Sequence, residues 1–104
     1  MSSPIDPARV WTVLSLIPEG KVVTYGQLAE LSGAPRAARI VGNILRQLPA
    51  GSSLPWHRVI NSKGHISFPE GSSQYHKQRT RLEEEGITLL SGKINLSLYR
   101  WQGE

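Results

Sequence analysis

The chain has 104 residues, 38% hydrophobic and 19% charged, with a net charge of +4. Those totals suit one small soluble globular domain rather than a disordered chain, and no apolar run approaches the roughly 18 residues that span a bilayer. Cysteine is absent, which excludes disulfides, thiolate metal sites and a cysteine nucleophile.

The first residues, Met1-Ser2-Ser3-Pro4-Ile5-Asp6, carry neither the basic nor the apolar region of a secretory leader, so a cytoplasmic protein is expected. Asp6-Pro7 predicts a helix start, with Asp as N-cap and Pro in the first helical position. Val10, Trp11, Leu14 and Ile17 follow at helical spacing, and Pro18-Glu19-Gly20 closes the element. Lys21-Val22-Val23 reads as a short extended link. Thr24-Tyr25-Gly26-Gln27 fits a reciprocal capping box at the start of a second helix, with Leu28 and Leu31 as its apolar stripe and Gly33 as its C-terminal cap.

Ala34-Pro35 opens a third helix, expected over Arg36 to about Leu48. Ala37, Ile40, Val41, Ile44, Leu45 and Leu48 fall on one face and Arg36, Arg39, Asn43 and Arg46 on the other. Two helices joined by a short Gly/Pro turn, the second with a cationic stripe, predict a helix-turn-helix over about 24–48. A solvated face on an ordinary helical hairpin is the alternative reading of the same pattern.

Pro49 to Ser53 reads as a loop. Leu54-Pro55-Trp56-His57-Arg58-Val59-Ile60 and His65-Ile66-Ser67, separated by Asn61-Ser62-Lys63-Gly64, are expected to pair as a hairpin. After a further loop, Gln74 to about Glu85 predicts a helix stopped by Gly86. Alternation at Ile94, Leu96 and Leu98 predicts one strand or hairpin in the tail. The expected fold class is α+β, a winged-helix-like domain formed by residues 1–104 as a single unit.

Three histidines, His57, His65 and His76, make no metal-binding spacing, and there is neither a Walker-type phosphate loop nor a Gly-x-Ser-x-Gly elbow. No cofactor and no metal are expected. A positive charge makes nucleic acid a plausible partner, although its placement counts for more than its sum. Acidic Glu83, Glu84 and Glu85 oppose the dipole of the helix they end, which fits either a solubilising patch or a specific partner.

The stretches VVTYGQLAELSGAPRAARIVGNILR, LPWHRVI and LEEEG resemble, in the same order, the C-terminal DNA-binding domain of the O6-alkylguanine-DNA alkyltransferases. The likeness runs from about Val10 to Gly86. In that family the active site reads Pro-Cys-His-Arg-Val, and the cysteine takes the alkyl group in one irreversible transfer. A histidine and a later glutamate polarise it through a water. Here Trp56 stands at the cysteine position, while His57 and Glu85 match the relay. An indole offers no thiolate-like nucleophile at neutral pH, so the expected protein is not an enzyme, and His57 is expected to brace the pocket wall through Glu85.

Trp56 in this place is similar to the alkyltransferase-like proteins, which bind O6-alkylguanine without repairing it. The resemblance implies a DNA damage sensor that enters the minor groove, flips the damaged nucleotide and flags it for nucleotide excision repair. It implies Arg39 as the finger filling the emptied base stack and Tyr25 as the residue rotating a phosphate. Gly26, Arg36, Gly42, Asn43 and Arg46 complete the expected DNA contacts. Tyr25, Trp56, His57, Arg58, Ser67 and Phe68 form the expected lesion pocket. The sequence departs from the family at the 67–73 loop, which lacks an arginine, and at Leu48, where an asparagine is usual. Double-stranded DNA and nucleotide excision repair proteins are the implied partners, and a monomer is expected because no spare apolar stripe is evident. Two other functions stay open: a winged-helix regulator without lesion specificity, and a dealkylating repair enzyme that uses a residue other than cysteine.

Overall fold

A computed structural model describes residues 5–49 and 51–103. Residues 1–4, where no secretory leader was expected, and Ala50 of the expected 49–53 loop lie outside the described residues. The order is α1 (Pro7–Leu16), β1 (Val23–Thr24), α2 (Tyr25–Leu31), α3 (Ala38–Arg46), a 3-10 turn (Trp56–Arg58), β2 (Val59–Ile60), α4 (Ser73–Glu84), β3 (Leu89–Leu90), β4 (Lys93–Ile94) and α5 (Leu96–Tyr99). The fold is a helix-dominated α+β winged-helix-like domain. No helix among the described residues is long and apolar enough to cross a membrane.

α1 starts as its sequence dictates: Asp6 Oδ1 accepts from the Ala8 amide at 3.0 Å, and Pro7 occupies the first turn. Thr24 Oγ1 caps α2 through the Gln27 amide at 3.0 Å. The return half of the capping box is not made. Gln27 instead spends its amide nitrogen on the Trp101 carbonyl and its oxygen on Arg100 Nε, which pins the chain's tail to α2.

β1 and β2 pair in parallel, Val23 with Val59 and Thr24 with Ile60. Because successive strand residues face opposite sides, this short ribbon divides the core in two. Val23 and Val59 join Val10, Leu14, Leu28 and Val41 from the first three helices. Val22 and Ile60 join Tyr75, Leu82, Ile87 and Ile94 on the other side. The two halves are thus held by a feature with only two residues per strand.

The parallel pairing corrects the hairpin expected from the sequence. Residues 65–67 do not return along 56–60. Asn61 closes a tight turn instead, its Oδ1 accepting from Lys63 and His65 amides at 2.9 and 3.0 Å. His65 then bridges to Lys93 of the β3–β4 hairpin, which turns through Ser91 and Gly92 in left-handed conformations. Leu96 and Leu98, read as strand positions, lie on the helical turn α5, whose start is capped by Asn95. α3 is also shorter than expected, with Arg36 in the preceding turn and Leu48 beyond its end.

Candidate nucleic-acid interface

The α2–turn–α3 unit places its apolar and cationic faces as the spacing requires. Val41 and Ile44 are buried, while Arg36, Arg39, Asn43 and Arg46 are exposed. Beside this face opens a cavity of about 530 Å³, within the size range of ligand sites. Tyr25 and Gly26 from α2 and Arg39, Gly42 and Arg46 from α3 form one wall. Trp56, Asn61, Ser62, Ser67, Phe68 and Gln78 line it as well, with Thr24, Ala38 and Leu45. The lining holds two arginines and no carboxylate, so its field favours an anionic ligand.

Trp56 is held on three sides. His57 meets it edge-on with centroids 6.1 Å apart, Phe68 does likewise at 6.3 Å, and the Arg81 guanidinium lies over the ring, 5.4 Å from its centroid. Edge-to-face and cation–π contacts of this kind orient a ring beyond what apolar burial does. Arg81 gave no signal in the sequence except its place one helical turn after Gln78, on the same face of α4.

His57 and Arg58, expected in the lesion pocket, are not among the residues that line the cavity. His57 is buried, with Nε2 2.7 Å from Glu85 Oε2. Arg58 grips the same carboxylate through Nε at 2.9 and 3.1 Å and Nη2 at 2.7 Å, and Nη1 donates to the Ile17 carbonyl at 2.7 Å. The Gly20 amide adds a bond to Oε1 at 3.0 Å. Burial alone would raise the Glu85 carboxyl, but donors from Arg58, Gly20 and His57 outweigh it and hold the group at about 2. Burial lowers the His57 pKa, only partly opposed by Glu85. The imidazole is therefore neutral at pH 7, with its proton on Nε2 facing the carboxylate and Nδ1 bare and without a protein partner. The expected His57–Glu85 contact is present; the ion pair with Arg58 that dominates it was missed, because the spacing of 27 residues carries no local signal.

Arg36 and Asn43, expected as DNA contacts, are exposed and lie outside the cavity lining. Arg36 borders a separate hollow with Ala34, Pro35, Ala37 and Ile40, and Asn43 Oδ1 accepts from Arg46 Nη1 at 2.7 Å. Asn61, Ser62 and Gln78 are lining residues that sequence reasoning missed. For Gln78 a signal existed: it sits in the buried stripe of α4 with Tyr75 and Leu82, and a polar side chain there needs a reason.

Among known families, the DNA-binding domain of 6-O-methylguanine DNA methyltransferase matches residues 7–87. The chain belongs to this family. Within the methyltransferase DNA-binding family it is similar to the DNA base-flipping protein of Escherichia coli, with 52% identity over 96 residues, 91% of this chain and 73% of that one. It is 41% identical to alkyltransferase-like protein 1 of Schizosaccharomyces pombe over 99 residues, covering 90% and 92% of the two chains. A crystal structure of Schizosaccharomyces pombe Atl1 in complex with damaged DNA containing O6-carboxymethylguanine superposes with a TM-score of 0.83 at 40% identity, covering 92% of this chain and 94% of that one. The family match ends at residue 87, so the β3–β4 hairpin and α5 are built from chain beyond it.

Proposed function

We propose that this protein is a non-catalytic sensor of O6-alkylguanine in double-stranded DNA. α3 enters the minor groove, Arg39 fills the place of the flipped nucleotide, and the damaged base rests in the cavity walled by Trp56. The flagged site is then passed to nucleotide excision repair proteins. The observation that carries the reading is Trp56 on the wall of a cation-lined cavity beside the recognition helix, in a chain without cysteine. The relatives named for base flipping and for damaged DNA support it.

Flipping a base costs a few kcal/mol, less where pairing is already weakened. Alkylation at O6 removes the N1 proton and a pairing acceptor, so the lesion leaves the stack more readily than guanine. Contact with an aromatic ring returns about 1–3 kcal/mol, which Trp56 and Phe68 are placed to supply. Tyr25 and Gly26 sit where α2 opens onto the cavity, suited to a backbone phosphate beside the flipped base.

Hydrolytic dealkylation by water activated at His57 and Glu85 is the competing reading. Neither residue lines the cavity, and the Glu85 oxygens are already occupied by Arg58, Gly20 and His57. A paired titration separates the readings: one duplex carries guanine and the other O6-methylguanine, and the DNA is recovered afterwards. Sensing predicts tighter binding to the lesion with the methyl group retained. Equal affinity would point to a regulator indifferent to damage, and methyl loss to an enzyme. Arg39→Ala is expected to weaken lesion binding roughly five- to hundredfold, with base flipping read by 2-aminopurine fluorescence beside the site.

A further inference from the structure

Gln78 is 1% exposed, yet it lines the cavity. Its amide nitrogen donates to two backbone carbonyls, His57 O and Val59 O, both at 2.9 Å. Two acceptors facing the same end of the carboxamide fix which end is nitrogen, so the side chain cannot be turned over. The oxygen makes no hydrogen bond among the described residues. Among the described residues, the polar side-chain atoms sealed from solvent without a partner are Ser32 Oγ and His57 Nδ1. The Gln78 oxygen is not in that set, so it keeps some exposure, and the cavity is the open space that Gln78 lines.

A preoriented acceptor in the wall of a largely apolar site selects a ligand that brings a donor, because a ligand without one leaves the acceptor desolvated and unpaired. On the proposed function the ligand is a flipped O6-alkylguanine. That base has lost its N1 proton to the tautomer that alkylation imposes, so the exocyclic 2-amino group is the donor left on its ring. We infer that the Gln78 carboxamide oxygen accepts a hydrogen bond from the 2-amino group of the flipped base, which makes Gln78 a specificity-determining residue for O6-alkylguanine over 6-substituted purines that lack the amine. The contact is distinct from the stacking by Trp56. It reads the purine edge, whereas Trp56 and Phe68 meet a ring or alkyl surface.

The inference rests on the sensing reading, and the experiment separates their failures. Wild-type protein is titrated with three duplexes that differ at one position: guanine, O6-methylguanine, and O6-methylhypoxanthine, which keeps the methoxy group and lacks the 2-amino group. Binding to O6-methylguanine is expected to be about five- to tenfold tighter than to O6-methylhypoxanthine, the worth of one net hydrogen bond. In Gln78→Met, a similar shape without the acceptor, the two methoxy bases should bind alike. Because Met also releases the His57 and Val59 carbonyls, the side-chain amide resonance of Gln78 in the wild-type protein gives a second readout by NMR. It should shift with O6-methylguanine and differ in shift with O6-methylhypoxanthine. A lesion preference that ignores the 2-amino group, or an amine dependence that survives in folded Gln78→Met, would overturn the assignment while leaving sensing intact. Equal affinity for guanine and O6-methylguanine would remove the sensing reading and this inference with it.

Discussion

Glu85 takes hydrogen bonds from Arg58, His57 and the Gly20 amide, and its role changes with that company. A carboxylate filled by three donors is a tether between the end of α4, the Trp56–Arg58 turn and the loop after α1. The pH response follows from the two shifts. The Glu85 pKa is depressed to about 2, so its contribution is present above the ordinary carboxylate range and is lost as pH falls towards 2. His57 is depressed by burial, so the unfolded chain takes up its proton more readily. Stability should therefore decline as pH drops below the ordinary histidine value of about 6.5, by up to roughly 1.4 kcal/mol per pH unit. Arg58 and Arg81 both oppose the imidazolium and Glu85 favours it. His57→Gln, which keeps a donor for Glu85, should flatten thermal denaturation midpoints between pH 7 and 5, with exposed His65 and His76 unchanged. A wild-type midpoint that holds constant over that window would contradict the neutral buried imidazole.

At the scale of elements, two glycines separate folding from recognition. Gly64 has φ +85°, and a Cβ there would stand 2.6 Å from the Ile94 carbonyl oxygen, the residue whose amide bonds back to Gly64 O at 2.8 Å. Gly64→Ala should cost at least about 2 kcal/mol by urea denaturation, since left-handed strain and a backbone clash act together. Gly42 sits within α3, and its Cβ would meet the Tyr25 ring at an ordinary 3.9 Å. Gly42→Ala should therefore leave the fold intact or up to about 1 kcal/mol more stable, while it obstructs close approach of DNA to the cavity wall. α1 and α2 were legible in the sequence because Asp6, Thr24 and Gly33 act within four residues of what they cap, whereas the single turn α5 was not. The β1–β2 pairing was not, because Val23 and Val59 are 36 positions apart and two-residue strands leave no alternation to read. The same distance problem hid Arg58 on Glu85. Trp56 was legible as a departure from a family motif, whereas Gln78 and Arg81 acquire meaning only once α4 is packed against the 56–59 segment.

Across the whole molecule, the charge of +4 is distributed in a way that a duplex would exploit. Arg36, Arg39 and Arg46 are exposed around α3. A second cavity of about 430 Å³ is bordered by Lys63 and Lys93 and shares Ser62 with the cavity at Trp56. Its lining contains no acidic side chain, so Lys63 and Lys93 extend the basic groups of α3 past the cavity at Trp56, with Glu70 placed beyond them beside Gly92 of the hairpin turn. If Arg36, Arg46, Lys63 and Lys93 each neutralise a phosphate while Arg39 occupies the base stack, log K should fall with log salt at a slope of about −3 to −4. Lys63→Gln with Lys93→Gln should flatten the slope by about 2 and weaken damaged and undamaged duplexes alike, because phosphate contacts carry no base information. Lys63→Arg with Lys93→Arg should restore it. A slope unchanged in the double glutamine variant would confine the interface to α2, α3 and the first cavity. A changed ratio between the two duplexes would instead tie the hairpin to recognition of the lesion itself.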